Sequence, residues 1–254
     1  MIGLEQERRV AVDACREASK VLMRYFRGEK KVLKKECKEL VSNVDLESEQ
    51  IIVNTIRENF PNHSITSEEL GSEKGQSSYT WIIDPLDGTH NYVYGHPAFG
   101  ISIALARGKE VLLGLIYLPF YDELYLAERG SGAYLNNKRI NVSKREVDEA
   151  YVLYDPQLHK REGMFDNLKN VYLHTFTMRI IGCAVADAAS VAAGRAEARI
   201  WHNTKTVDVA AGTLLVEEAG GRVSDFAGNP YEIGKTEVLA TNTVIHADLV
   251  AMLR

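Results

Sequence analysis

Cysteine is scarce in this chain of 254 residues: Cys15, Cys37 and Cys183 are odd in number and widely scattered. No Cys-x-x-Cys pair occurs, which argues against both a disulfide framework and thiolate metal sites. No uninterrupted apolar run approaches the ~20 residues needed to span a bilayer. The opening run from Met1 to Arg9 lacks the apolar centre of a signal peptide. Positive charge is not in excess, since 30 Lys and Arg face 35 Asp and Glu for a net charge of −5. Such a chain is a poor general binder of nucleic acid, whose phosphates need neutralising cations. The local basic run Lys30, Lys31, Lys34 and Lys35 reads as a solvated face. Internal repeats, low-complexity tracts and long linkers are absent too. These absences predict a reduced, soluble, cytoplasmic protein with no membrane partner.

What is present is ordinary globular material, 45% hydrophobic and 26% charged, with length enough for one large domain or two small lobes. Ala11, Ala14, Cys15, Ala18, Val21, Leu22 and Tyr25 recur at helical spacing and predict a helix over 4–27, closed by Gly28. Val53, Ile56 and Phe60 predict a second over 46–59, with Pro61 beyond its end. Strand-like segments follow around Ile65 and Ile82 and over 101–106, 112–117 and 124–127. Their short connections predict an antiparallel sheet. Further on, strands are expected over 151–154, 175–181, 222–225 and 238–241. Ala-rich helices are expected over 183–193 and 209–219, the second stopped by Gly220-Gly221, and a last helix over 244–253. The division falls near 140–150. The expected organisation is an N-terminal α+β lobe over 1–145 and a C-terminal α/β lobe over 146–254, sharing a core as one unit in a layered α/β sandwich.

The most informative run is Trp81-Ile82-Ile83-Asp84-Pro85-Leu86-Asp87-Gly88-Thr89. An apolar strand ends in two carboxylates three residues apart, bent by a proline and closed by a glycine. Pro85 fixes φ, so the turn can bring both carboxylates to one side. Carboxylates so close repel each other unless a cation lies between them. Oxygen-only ligands suit a hard ion such as Mg²⁺, and Gly88 and Thr89 offer amides and a hydroxyl to a phosphate. Asp-Pro-x-Asp-Gly is also good turn chemistry, so the metal–phosphate reading requires further carboxylates. Glu68 and Glu69 follow the Ile65 segment and meet that need if their strand neighbours the Asp84 strand. Asp208 and Asp45 each precede an expected helix and read either as N-caps or as ligands, two roles that are compatible.

Glu68-Glu69, then Asp84-Pro85-Leu86-Asp87-Gly88-Thr89, then Val207-Asp208-Val209-Ala210-Ala211-Gly212 resemble the signatures of the inositol monophosphatase family. The likeness extends from Lys34 and Asp45 to Glu218-Ala219-Gly220-Gly221. It implies an αβαβα sandwich, a homodimer, and a Mg²⁺-dependent, lithium-sensitive phosphatase. Glu68, Asp84 and the Leu86 carbonyl would hold one Mg²⁺, Asp84, Asp87 and Asp208 a second, and Glu68 with waters a third. The implied catalytic residues are Asp45, Thr89 and Glu68, with Thr89 and Asp45 orienting and deprotonating the attacking water. Asp87 and the amides of Gly88 and Thr89 would meet the phosphate. Gly182, Cys183 and Ala184 would line the alcohol side, and Arg179 would reach a second phosphate. Cys183 itself, in an Ala-rich stretch, reads as packing and not as a nucleophile.

The departures from the family pattern bear on substrate and leave the metal positions intact. Val207 stands where members commonly have Trp, Trp201 where inositol-specific members have a hydroxyl-binding Glu, and Glu39 where some carry Asp. The expected activity is hydrolysis of inositol 1-phosphate to myo-inositol and phosphate. Fructose-1,6-bisphosphatase activity is the main alternative, since archaeal-type dual members share these features. A 3′-phosphoadenosine 5′-phosphate phosphatase and a non-catalytic RNA-associated regulator are further alternatives.

Overall fold

The computed structural model describes residues 3–34, 40–155 and 163–253. Cys37 and Glu39 lie outside the described residues. Helix α1 (Glu5–Tyr25) buries Ala11, Ala14, Cys15, Ala18 and Leu22, the stripe the sequence marks. A small antiparallel pair, β1 (Val32–Lys34) and β2 (Leu40–Ser42), leads into α2 (Asn43–Asn59). Then come β3 (Ser64–Ser67), β4 (Gly71–Glu73), β5 (Tyr79–Asp87) and the short α3 (Thr89–Val93). A meander follows: β6 (Gly100–Arg107), β7 (Glu110–Leu118), β8 (Glu123–Glu128), β9 (Gly132–Leu135) and β10 (Lys138–Ile140). These strands form one eight-stranded sheet in the order β10-β9-β8-β7-β6-β5-β3-β4.

That sheet is not wholly antiparallel, as the short connections predicted. β3 and β5 run parallel, in register from Ser64↔Thr80 to Ser67↔Ile83. Strand β4 folds back along the outer edge of β3 as a hairpin, so a strand makes the return that was expected to need a helix.

The second sheet takes β11 (Tyr151–Tyr154), β12 (Thr177–Arg179), β13 (Ala198–Trp201), β14 (Arg222–Ser224) and β15 (Val238–Thr241) in the order β12-β11-β13-β15-β14. Its helices are α4 (Met164–His174), α5 (Ala184–Ala192), α6 (Thr206–Glu218) and α7 (His246–Leu253). The strand expected over 175–181 is thus shorter, while α4 and β13 carry no mark that the sequence reading caught.

Alternation along the strands sorts the core into layers. Trp81, Ile83, Ile103 and Leu105 face α1 and α2. Ile82, Ala104 and Ala106, on the opposite face, meet α5 and α6 together with Leu153, Val223 and Ala240 of the second sheet. Tyr154, Ile200 and Leu239 of that sheet's far side cover Val171 of α4 and Leu249 of α7. The order is helix, sheet, helix, sheet, helix, an αβαβα sandwich. Helix α6 is buried along nearly its whole length, as a helix between two sheets must be. Gly212 permits this closeness, because a Cβ there would lie 2.5 Å from the Ala188 methyl. No helix among the described residues is long and apolar enough to cross a membrane.

Candidate active site

The site begins with an irregularity in β5. Pairing with β6 is regular as far as Asp84↔Ser102 and resumes at Asp87↔Gly100, so β5 carries one extra residue there. Pro85, with no N–H to contribute to the ladder, lies in this bulge. An extra residue cancels one alternation, so Asp84 and Asp87 come to the same side of the sheet. Asp84 is buried, and its Oδ1 accepts the Leu86 N–H at 3.1 Å.

Parallel pairing of β3 with β5 brings their C-terminal ends together, which puts Glu68, directly after Ser67, beside Asp84. Two helix N-termini supply the other carboxylates. Asp45 and Asp208 read as N-caps or as ligands, and the cap reading does not hold: both helices begin earlier, at Ser42 and Lys205, and both aspartates occupy the third helical position. There each carboxylate accepts its own cap's backbone N–H, Ser42 at 2.8 Å and Lys205 at 3.1 Å. The helix N-terminus favours a carboxylate in the first turn in any case.

Thr89 opens α3, and its Oγ1 lies 3.2 Å from Asp45 Oδ1 and 3.0 Å from the Leu86 carbonyl oxygen. A hydroxyl has one proton, so it donates to one of these and offers lone pairs elsewhere. Before it, Gly88 has φ of +81°, and a Cβ there would lie 2.7 Å from the Ala98 carbonyl oxygen. Only glycine fits that turn. Asp87 Oδ2 accepts the Val185 N–H at 2.8 Å and the Cys183 S–H at 3.1 Å. The segment Gly182, Cys183 and Ala184 therefore abuts the carboxylates. Asn91 of α3 fixes it by donating to the Ile181 carbonyl at 2.9 Å. Burial pushes the Cys183 thiol well up, which suits packing and not nucleophilic attack.

Arg179 lies on the edge strand β12, where it donates to Thr177 Oγ1 and to the Met178 carbonyl. Trp201 is buried in the core between the sheets, with the Arg199 guanidinium 4.9 Å above its ring. It acts there as a packing element.

Electrostatics reflect the crowding. Burial raises the Asp84 pKa well above the carboxylate range, and Glu68, Asp87 and Asp208 raise it further by repulsion. Burial also raises Asp87, against the opposing effect of the Val185 and Cys183 hydrogen bonds. Asp208 is pushed up to about 7, by burial first and then by Asp87 and Glu68. Asp45 is raised to about 6, mainly by burial. As the side chains lie, no three of these or other acidic, histidine or cysteine groups among the described residues form a closed cage for an ion. Asp87 is turned to α5, Asp208 to its helix N-terminus, and Glu68 to Lys205 Nζ at 3.1 Å. The donor set still fits a divalent cation: mutually repelling, buried carboxylates with oxygen donors only are relieved by a hard ion.

Two residues of the site escaped the sequence reading. Ser48 Oγ donates to the Pro85 carbonyl at 2.9 Å, and Glu49 Oε1 accepts the N–H groups of Glu69 and Leu70 at 3.0 and 3.2 Å. With Asp45 they form one buried polar stripe of α2 at i, i+3 and i+4 spacing. That spacing of polar residues, on a helix whose other buried positions are apolar, was the available signal.

Comparison with known proteins agrees with this arrangement. The profile of the inositol monophosphatase family matches residues 4–254. A fructose-1,6-bisphosphatase/inositol-1-monophosphatase of Aquifex aeolicus is 37% identical over 252 residues, covering 97% of this chain and 94% of its own. The Nus factor SuhB of Pseudomonas aeruginosa is 38% identical over 247 residues, covering 92% and 90%. Among solved structures, an inositol monophosphatase of Thermotoga maritima superposes with a TM-score of 0.90 at 33% identity, covering 98% and 96%. With family profile, full-length relatives and layered fold in agreement, the chain belongs to the inositol monophosphatase family of metal-dependent phosphoric monoester hydrolases.

Proposed function

We propose that this enzyme hydrolyses inositol 1-phosphate to myo-inositol and phosphate with Mg²⁺. The observation that carries the reading is the gathering of Glu68, Asp84, Asp87 and Asp208, in which Glu68 and Asp87 raise the proton affinity of Asp84 and Asp208, beside the Thr89–Asp45 pair. Glu68, Asp84 and the Leu86 carbonyl would hold one ion, Asp84, Asp87 and Asp208 a second, and Glu68 with waters a third. When bound, Mg²⁺ neutralises phosphate charge and eases deprotonation of water. Thr89 Oγ1 accepts a proton from the attacking water as it passes its own to Asp45 Oδ1. A carboxylate with a pKa of about 6 is a serviceable base near neutral pH. Asp87 and the amides of Gly88 and Thr89 meet the phosphate, and Gly182, Cys183 and Ala184 line the alcohol side. No covalent intermediate on the protein is needed.

A second reading, fructose-1,6-bisphosphatase activity, is supported by the name of the Aquifex relative. In that reading Arg179, which now hydrogen-bonds along its own strand, turns to meet the second phosphate as a charge-assisted partner. The deciding experiment measures phosphate release with Mg²⁺ from inositol 1-phosphate, fructose 1,6-bisphosphate and 3′-phosphoadenosine 5′-phosphate as kcat/KM. Preference for inositol 1-phosphate supports the proposal, and preference for the bisphosphate replaces it with the second reading. Arg179→Ala then reduces turnover of the bisphosphate selectively, whereas equal losses on both substrates remove Arg179 from that role. A cytoplasmic homodimer completes the proposal.

A further inference from the structure

Lys205 is an unusual neighbour for a metal site. Its ammonium crosses from the N-cap of α6 to the turn after β3 and lies 3.1 Å from Glu68 Oε1. Glu68 is one of the repelling neighbours of both Asp84 and Asp208, so a cation on it relieves charge that the other carboxylates feel. The lysine side chain is 49% exposed and Glu68 20%, so this pair stands at the mouth of the acidic group and not inside it. A lysine has a compact charge on a flexible four-carbon stem. The first turn of α6 does not depend on where the ammonium sits, because Asp208 accepts the Lys205 backbone N–H.

We infer that Lys205 is a built-in counter-cation that occupies Glu68 in the metal-free enzyme and must be displaced by the divalent ion that uses Glu68. The inference rests on the metal-dependent reading of the site. Two effects follow from it. In the metal-free state the ammonium offsets part of the repulsion among the carboxylates. On metal binding the lysine competes, and its charge, still tethered nearby, opposes the incoming ion. Partly exposed ion pairs are weak, so the competition lowers affinity for the Glu68-dependent ion by only about three- to tenfold.

The test is calorimetric titration of the metal-free enzyme with Mg²⁺, and with Mn²⁺ as a spectroscopic check by the loss of its free-ion resonance signal. Lys205→Met is expected to bind the Glu68-dependent ion about three- to tenfold more tightly than the wild type. Lys205→Arg, which keeps the charge, is expected to stay close to the wild type. In a Glu68→Gln background, Lys205→Met should change the isotherm little, because the shared carboxylate is gone. Melting curves of each variant without metal check that it is folded. An unchanged isotherm for Lys205→Met overturns the inference, and weaker binding does so too, since it makes Lys205 an organiser of Glu68 and not its competitor. Absence of binding in wild type and variants alike contradicts the metal reading itself, a result distinct from either of these.

Discussion

Asp84 is a residue whose surroundings disfavour its charged form. It is buried and faces Glu68, Asp87 and Asp208, and all of these raise its pKa. Asp84→Asn keeps the oxygen that accepts the Leu86 N–H and removes the repelled charge. The metal-free variant is therefore expected to melt no lower than the wild type, while turnover falls by at least about 100-fold. A melting curve and a phosphate-release assay on the same preparation check both halves. Asp84, Asp87, Gly88 and Thr89 were legible in the sequence because the whole device, strand, bulge, turn and hydroxyl, lies in one unbroken run. Ser48 and Glu49 were not, because their partners lie 37, 20 and 21 residues away. A side chain's role in orienting a distant loop leaves no local trace beyond its polarity.

Among the elements, α2 does most to position the site. Its stripe of Asp45, Ser48 and Glu49 reaches Thr89, the Pro85 carbonyl and the turn that carries Glu68. Glu49→Ala removes the carboxylate that accepts the Glu69 and Leu70 N–H groups, at a cost of about 1 kcal/mol. Hydrogen exchange at those two amides is expected to quicken, with weaker metal binding, and Glu49→Gln should restore part of both. Unchanged exchange at 69 and 70 would show that the turn holds itself.

The N-terminal carboxylates of α2 and α6 also set a pH dependence. Asp45 and Asp208 titrate at about 6 and about 7 when folded, against about 3.9 unfolded. The folded state thus binds their protons more tightly, and the stability they contribute is present below about 4 and lost as pH rises through 6 to 7. The metal-free protein should melt higher at pH 5 than at pH 8. Saturating Mg²⁺ should stabilise more at pH 8, where the carboxylates are free to bind it. Melting temperatures across that range, with and without Mg²⁺, check the sign. The helices were expected near their observed places, but their first turns were not, because the caps Ser42 and Lys205 precede the aspartates that looked like caps. The parallel β3–β5 pair was hidden by the hairpin strand β4 that makes its crossover.

At the scale of the whole molecule, the layering was legible because strand alternation and Ala-rich helices specify two sheets with buried helices between them. What periodicity did not give was the face left uncovered. Helix α4 exposes Phe165, Tyr172 and Leu173, and Phe176 and Ile180, which flank the edge strand β12, are exposed too. The proposed homodimer is expected to cover these side chains. Phe176→Glu is expected to shift sedimentation from dimer to monomer while leaving the melting curve of the monomer cooperative. A wild-type protein that sediments as a monomer would remove the dimer. The central claim, that buried carboxylates at the end of β5 work by holding Mg²⁺ against a phosphate monoester, is tested most directly by titrating Mg²⁺ into a phosphate-release assay. Wild-type enzyme with inositol 1-phosphate and fructose 1,6-bisphosphate should be silent in chelator, rise saturably with Mg²⁺, and lose that response in Asp84→Asn. Phosphate release that persists in chelator, or survives Asp84→Asn at full rate, would contradict the account.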